Sequence, residues 1–399
     1  MDTFCSNAYT ASRDKKSVGF HFQRGIVAVC MHYVFAFLIL WNAEWLLLHI
    51  GQDPEIAQLS GMFLRIHILG VLPFTLFETT KRYLQAQGIM CAGTIITAVV
   101  VPIHWTINYC LVRSPGYGLG FIGAPISNVI SHCLLFIGII IYACNSRAVE
   151  TWGGWKISAF HNMSAYYRLA IPAVITVCAE WLCFELLTIG ASYFGTNQMA
   201  GQAVILTAMT LLSQFSNGLG SSTSPRIGNL IGSAKPRQAH IAADMGVLAA
   251  LAIGMTGMLL SVLFGKQYIA MYTNDSAVAR EAAKIIPAFC VFLVADGLIA
   301  TLNAILRGIG RQRAGASIFI FGYYACAVPL GMYLGYIRHL ETAGLWWGLC
   351  IGNLVSCSLQ ITYIYWVVDW KNEVRLCHLR LKNNSQTGWN APVERADSS

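Results

Sequence analysis

The run Ile171-Pro-Ala-Val-Ile-Thr-Val-Cys-Ala-Glu180-Trp-Leu-Cys-Phe-Glu185-Leu-Leu-Thr-Ile-Gly190 decides the fold class. It has the length of a helix that crosses the hydrocarbon of a bilayer, about 20 residues, yet two carboxylates interrupt it. A charge at the bilayer centre costs at least about 2.5–3.5 kcal/mol, so such residues face a protein interior or a water-filled path. Five residues of α-helix turn through about 500°, roughly 140° net, which puts Glu180 and Glu185 on different faces. One is expected to face a central cavity and the other a neighbouring helix. A purely structural role, pinning helices together by hydrogen bonds, is the alternative for each.

The rest of the chain has the same character. Of its 399 residues 56% are hydrophobic and 11% charged, a composition far too apolar for an ordinary soluble enzyme and typical of a polytopic membrane protein. Its 13 cysteines are scattered through apolar segments with no CxxC pair and no Cys/His ligand cluster; they read as small buried hydrophobes, and neither a disulfide framework nor a metal site is expected. No phosphate-binding glycine loop or nucleophile constellation is present, so neither ATP-driven transport nor catalysis has support.

Apolar windows place about ten spans, near residues 25–49, 59–80, 92–112, 122–143, 170–194, 202–222, 245–264, 285–306, 316–336 and 345–368. The net charge of +8 is distributed by side. With a cytoplasmic N-terminus, Arg13, Lys15, Lys16, Arg24, Lys81, Arg82, Arg147, Lys156, Arg168, Arg226, Lys235, Arg237, Arg307, Arg311, Arg313 and the basic C-terminal tail fall inside. Only Arg65, Arg113, Lys266, Arg280, Lys284 and Arg338 fall elsewhere. That is the positive-inside bias with both ends in the cytoplasm, and it removes the nucleic-acid reading of the charge. The outer loops Gly51-Gln-Asp-Pro54, Ser114-Pro-Gly-Tyr-Gly118 and Thr273-Asn-Asp-Ser276 are rich in breakers, and the last contains a glycosylation sequon. The expected organisation is a cytoplasmic N-terminal segment (1–24), a four-helix lobe (25–143), a cytoplasmic linker (144–169), a six-helix lobe (170–368) and a disordered cytoplasmic tail (369–399).

The two lobes repeat one another. Leu84-Gln-Ala-Gln-Gly88 corresponds to Leu306-Arg-Gly-Ile-Gly310 at an offset of 222 (306 − 84), and Leu48 to Met271 at 223 (271 − 48). Six spans against four implies that two helices preceding the first lobe are missing. The copies share one orientation, as in transporters built from parallel repeats.

The ordered set Trp41-Asn-Ala-Glu-Trp45, Lys81-Arg-Tyr-Leu-Gln-Ala-Gln-Gly88, Glu180-Trp-Leu-Cys-Phe-Glu185, Arg226-Ile-Gly-Asn-Leu-Ile-Gly232, Asp296, Leu306-Arg-Gly-Ile-Gly310, Gly322-Tyr-Tyr324 and Pro329-Leu-Gly331 resembles the eukaryotic multidrug and toxin extrusion (MATE) transporters. The resemblance runs from about Cys5 to Trp370. It implies an all-α polytopic fold with two pseudo-symmetric six-helix lobes, here lacking the first two helices. It also implies exchange of cationic or amphipathic organic compounds for protons or sodium, and it assigns coupling to the positions of Glu180 and Asp296, with Glu185 the further acid of the same motif.

The residues themselves support that assignment. Asp296 lies in an apolar run about 15 Å of helix from Arg307, and Asn303, seven residues on, shares its face. A structural acid capped by a neighbouring helix is the alternative. Thr207, Thr210, Gln214, Asn217 and Ser221 form one polar stripe, lining either a water or substrate path or an interhelical hydrogen-bond seam. Trp181, Phe184, Tyr323 and Tyr324 offer aromatic faces to organic cations, or serve as packing and interface anchors. Glu44 and Glu78 are expected at the two interfaces. Arg65 and His67 await an outer-leaflet acid, and His32, His104 and His132 are hydrogen-bonded packing residues.

The sequence therefore reads as a secondary active antiporter, a monomer in the lipid bilayer of the plasma membrane or of a vacuolar or other endomembrane. It needs no cofactor beyond the coupling ion, H⁺ or Na⁺. A transport-incompetent fragment or assembly partner is the alternative. A lipid-linked sugar flippase would line its cavity with basic groups, whereas the embedded charges here are chiefly acidic.

Overall fold

The structure, a computed structural model, describes residues 2–12, 14–114, 118–160 and 163–386. Arg13, the centre of the outer loop at 115–117 and the tail beyond 386 lie outside the described residues. Among those described, the fold is all helical. In chain order the elements are α1 (Asp2–Ala11), α2 (Lys16–Trp41), α3 (Ala43–His49), α4 (Pro54–Ala86), α5 (Cys91–Arg113), α6 (Gly123–Cys144), α7 (Ser164–Ser192), α8 (Thr196–Gly232), α9 (Pro236–Tyr272), α10 (Ser276–Ile309), α11 (Gln312–Ile320), α12 (Val328–Met332), α13 (Glu341–Thr362) and α14 (Trp370–Gln386). α11 and α12 belong to one span, Gln312–Ile337. Among the described residues ten helical stretches are long and apolar enough to cross a membrane, and each overlaps one of the ten expected windows.

Helices α4, α8, α9 and α10 outrun their apolar windows at both ends, because backbone hydrogen bonding does not stop where hydropathy does. α4 starts at Asp53, whose carboxylate accepts from the Glu55 N–H at 2.9 Å, with Pro54 in the first turn. It ends at Gly88 in the left-handed region (φ +81°), where the Ile89 N–H reaches back to the Leu84 carbonyl. α10 has the same two ends. Asp275 accepts from the Ala277 N–H at 2.8 Å, and Gly310 (φ +81°) lets the Arg311 N–H reach the Leu306 carbonyl. Asp53 and Asp275 stand 222 apart, as do Gly88 and Gly310, so the sequence repeat is one helix design with identical stop signals.

Contacts divide the chain into two units, Met1–Met163 with Arg380–Ser399, and Ser164–Leu379. In the first, α2, α4, α5 and α6 surround a core that includes Phe22, Phe77, Tyr83, Leu84 and Ile139. The polar N-terminal segment is helical here. Cys5 and Ala8 of α1 are fully buried, and Phe4 stacks on His21 at 5.3 Å. The linker is likewise fastened, since Tyr83 Oη donates to the Ala148 carbonyl (3.0 Å) and the Lys156 N–H donates to Gln23 Oε1 (3.0 Å).

In the second unit α10 is the central helix, enclosed by α8, α9 and α13. Close approach depends on glycine: Gly344, Gly348 and Gly352 of α13, spaced by four, meet Gly335, Gly331 and Ala327 so tightly that a Cβ at Gly348 would overlap the Gly331 backbone. Opposite this seam, Pro329 removes the N–H that the Ala325 carbonyl needs, and the helix widens into a π turn over Phe321–Ala327. The stretch after Asp369 does not begin as a disordered tail. α14 carries Glu373, 1% exposed, onto Arg311, whose Nε and Nη2 both donate to Glu373 Oε1 (2.8 and 2.6 Å). That bond, ahead of any other influence, holds the guanidinium proton more tightly than usual.

Candidate functional site

α7 has two distinct faces. Cys183, Phe184, Leu187 and Ala191 are buried, at spacings that define one side of a helix, and Glu180, half-buried, is one turn before Cys183 on that side. Glu185 and Trp181 are on the outer side, with Trp181 62% exposed. The two acids thus point apart, Glu180 into the second unit and Glu185 away from its core.

Facing Glu180 is the middle of α10. Asp296 is 7% exposed and is an electrostatic neighbour of Glu180. Phe184 packs edge-on against Phe292, one turn before Asp296 (6.1 Å between centroids), which holds α7 and α10 at this level. Tyr323, fully buried in the π turn, stacks on Phe319 at 4.1 Å and interacts with both acids. Beside it, Tyr324 Oη donates to the Ala179 carbonyl at 2.9 Å, fixing the π turn to the residue before Glu180. Cys357 of α13 completes the surroundings of Asp296, its thiol directed at the Ala295 carbonyl (3.3 Å). Two carboxyl groups from different helices therefore share an apolar interior with a buried phenol, an arrangement suited to binding and releasing a proton or a small cation.

The remaining candidates separate into open and enclosed groups. Thr207, Thr210, Gln214 and Asn217 form an exposed stripe on α8, the two threonine hydroxyls bonding their own helix through the Ala203 and Leu206 carbonyls (2.9 Å each). The opposite face of α8 carries buried Ser216, which meets Gly297 of α10. Asn303 is half-buried, its Oδ1 accepting from Gln360 Nε2 of α13 at 3.3 Å, and Tyr323 is fully enclosed. Tyr323 presents nothing to open space, whereas Trp181 does.

Sequence reading missed a second polar stripe, Asn353, Ser356, Gln360 and Tyr363, spaced 3, 4 and 3 along α13 and its π-turn continuation. Asn353, Ser356 and Gln360 are completely buried. Their spacing was the available signal, masked by their neutrality.

In the first unit the lesser candidates find partners. Arg65 Nη2 meets Glu44 Oε2 at 3.0 Å, and Glu78 pairs with Lys81. His67 packs edge-on against His132. His32 donates to the Ala28 carbonyl (2.7 Å), His104 bonds Ser131 Oγ (2.7 Å) and His132 bonds the Gly70 carbonyl (3.2 Å). Among the described residues no group of three or more His, Cys, Asp and Glu side chains is placed to hold a metal ion.

Comparison with known proteins gives concordant matches. The MatE family profile matches residues 1–110 and 172–333. An uncharacterized transporter of Schizosaccharomyces pombe is 32% identical over 378 residues, covering 95% of this chain and 70% of the relative. Mouse multidrug and toxin extrusion protein 2 is 32% identical over 386 residues (95% and 66%), and an uncharacterized transporter of Saccharomyces cerevisiae is 33% identical over 371 (93% and 53%). The chain is thus considerably shorter than these relatives. The crystal structure of the eukaryotic MATE transporter AtDTX14 superposes with a TM-score of 0.88 at 24% identity, covering 95% of this chain and 85% of that one.

Proposed function

The chain belongs to the MatE family of multi-pass membrane transporters, and from that premise we propose that it is a secondary active antiporter exporting small organic cations or amphipathic compounds in exchange for protons, with Glu180 and Asp296 as the coupling acids. The observation that carries this reading is the acid pair itself: buried Asp296 on the most enclosed helix and half-buried Glu180 on α7, electrostatic neighbours in apolar surroundings. Membrane-embedded carboxyls are costly, and ion and proton pathways are where they are retained. Two carboxylates in one apolar interior repel each other, and a proton or a cation between them relieves that repulsion. A bound organic cation replaces that proton, and protonation expels the cation; this mutual exclusion is the coupling.

The exposed stripe of Thr207, Thr210, Gln214 and Asn217 supports a wetted substrate surface, and Trp181 supplies an aromatic face for a cation, a contact of about 0.5–2 kcal/mol. Glu185 is the further acid on the outer side of α7, a candidate for attracting cations. The mouse relative bears the name of a multidrug and toxin extrusion protein, which supports a xenobiotic substrate class.

The test is efflux of a fluorescent organic cation from loaded vesicles under an imposed pH gradient. Wild-type protein should empty them with the gradient and not without it, and Glu180→Gln and Asp296→Asn should each abolish the gradient-driven part. Full activity in both variants would overturn the coupling assignment, and a sodium gradient that replaces the pH gradient would reassign the coupling ion.

A further inference from the structure

We propose that the second unit contains an internal water-filled proton path, leading from Asp296 along the polar face of α13 to the Arg311 end of the unit. This rests on the reading of Asp296 as a proton carrier and adds its route.

The path follows from register. α10 and α13 run parallel, and two hydrogen bonds fix their alignment: Lys284 with Glu341 and Asn303 with Gln360, both 57 residues apart. The same separation sets Asn353 opposite Asp296. Below that level, in order, come Ser356, the Gln360–Asn303 pair and Tyr363, which lies within hydrogen-bonding reach of Arg311. Consecutive members are three or four residues apart, or about 5 Å along the axis. One water bonded to two partners bridges about that distance.

The side chains have capacity for such waters. Asn353, Ser356, Gln360 and Tyr323 are all 0% exposed. Ser356 Oγ and Gln360 Oε1 find no hydrogen-bond partner within the protein, and Asn353, with its side-chain oxygen and nitrogen both buried, has the Tyr323 hydroxyl as its neighbour. Buried polar groups in that condition are where proteins hold structural water. Tyr323 adjoins Asn353 and both acids, so it joins the path at its upper end. Glycine keeps the line clear: a Cβ at Gly322 would strike Ser356 Oγ, and one at Gly315 would come within 3.1 Å of Asn303 Oδ1. At the exit Glu373 neutralises Arg311, removing a positive barrier to a departing proton.

Chemically the step is a relay. The O–H bond of the Asp296 carboxyl breaks as its proton passes to the adjoining water. Each water, and the Ser356 and Tyr323 hydroxyls where they take part, accepts one proton and releases another. One proton leaves at the Arg311 end, and a carboxylate remains. The amides of Asn353, Asn303 and Gln360 orient the waters without themselves being protonated.

Infrared spectroscopy of the full chain in lipid vesicles tests this at acid pH. Asp296→Asn identifies the carboxylic C=O band of Asp296, whose shift is followed after transfer to D₂O. Gln360→Leu and Asn303→Leu should slow its deuteration at least tenfold, Ser356→Ala about threefold, and Gln360→Glu should leave it near the wild-type rate. Unchanged deuteration in Gln360→Leu and Ser356→Ala would overturn the path; if Gln360→Leu does not fold, Ser356→Ala decides alone. Slowed deuteration in vesicles that show no efflux would keep the path and reject the antiport reading. Gradient-driven efflux with unslowed deuteration would do the reverse.

Discussion

Arg311 and Glu373 form an ion pair whose two halves differ sharply in burial, and removing one half should cost far more than removing the other. Glu373 is 1% exposed, while Arg311 remains 39% exposed. Arg311→Met therefore strips a buried carboxylate of its guanidinium, a loss of about 3–5 kcal/mol. Glu373→Gln leaves a cation that water already reaches, and its cost is the two charge-assisted bonds less what solvent returns, about 1–2 kcal/mol. The difference, about 2 kcal/mol, is roughly a thirtyfold change in the unfolding equilibrium. The double variant buries neither charge and should recover most of the Arg311→Met loss. Denaturant unfolding in detergent micelles, followed by tryptophan fluorescence, measures all three. Equal losses in the two single variants, or a double variant as unstable as the sum of both, would refute the idea that α14 is fixed by a buried carboxylate.

Other consequences concern the helix ends and seams. Gly348→Ala should prevent α13 from seating, because the obstructing atoms are Gly331 backbone and cannot rotate away; size-exclusion chromatography checks this against Gly218→Ala, where the space is open. Asp53→Ala and Asp275→Ala each remove an equivalent N-cap and should each cost about 0.5–2 kcal/mol of unfolding free energy, a cap in one unit mattering as much as in the other. Arg65→Met should change stability by less than about 1 kcal/mol, since Arg65 is exposed and Glu44 only partly covered, and that small effect should fade in high salt.

The spans were legible because twenty apolar residues have few alternatives, and the repeat was legible because both copies of the long helix use the same Asp start and Gly stop. α1 and α14 were not. Each is short and mixed in polarity, with no apolar window, and each acquires its order from what it packs on: Phe4 on His21, and Glu373 on Arg311. The charged half of the site, Glu180 and Asp296, stood out because charge is conspicuous in an apolar run. The neutral half, Asn353, Ser356 and Gln360, did not, since single amides and hydroxyls in membrane helices are common and only the 57-residue register shows what they face. Asn303 was placed on the face of Asp296 by spacing alone; that it bonds Gln360 required the neighbouring helix.

The reciprocal experiment addresses proton coupling by the buried acids with the least inference in between. Purified protein is reconstituted in vesicles enclosing a pH-sensitive dye, with no pH gradient, and an organic cation is added outside. Coupled exchange requires that cation entry drive protons out, alkalinising the lumen, and that Asp296→Asn, like Glu180→Gln, show cation binding without any pH change. Cation entry with no proton movement in the wild type, or an unaltered pH change in Asp296→Asn, would contradict the mechanism.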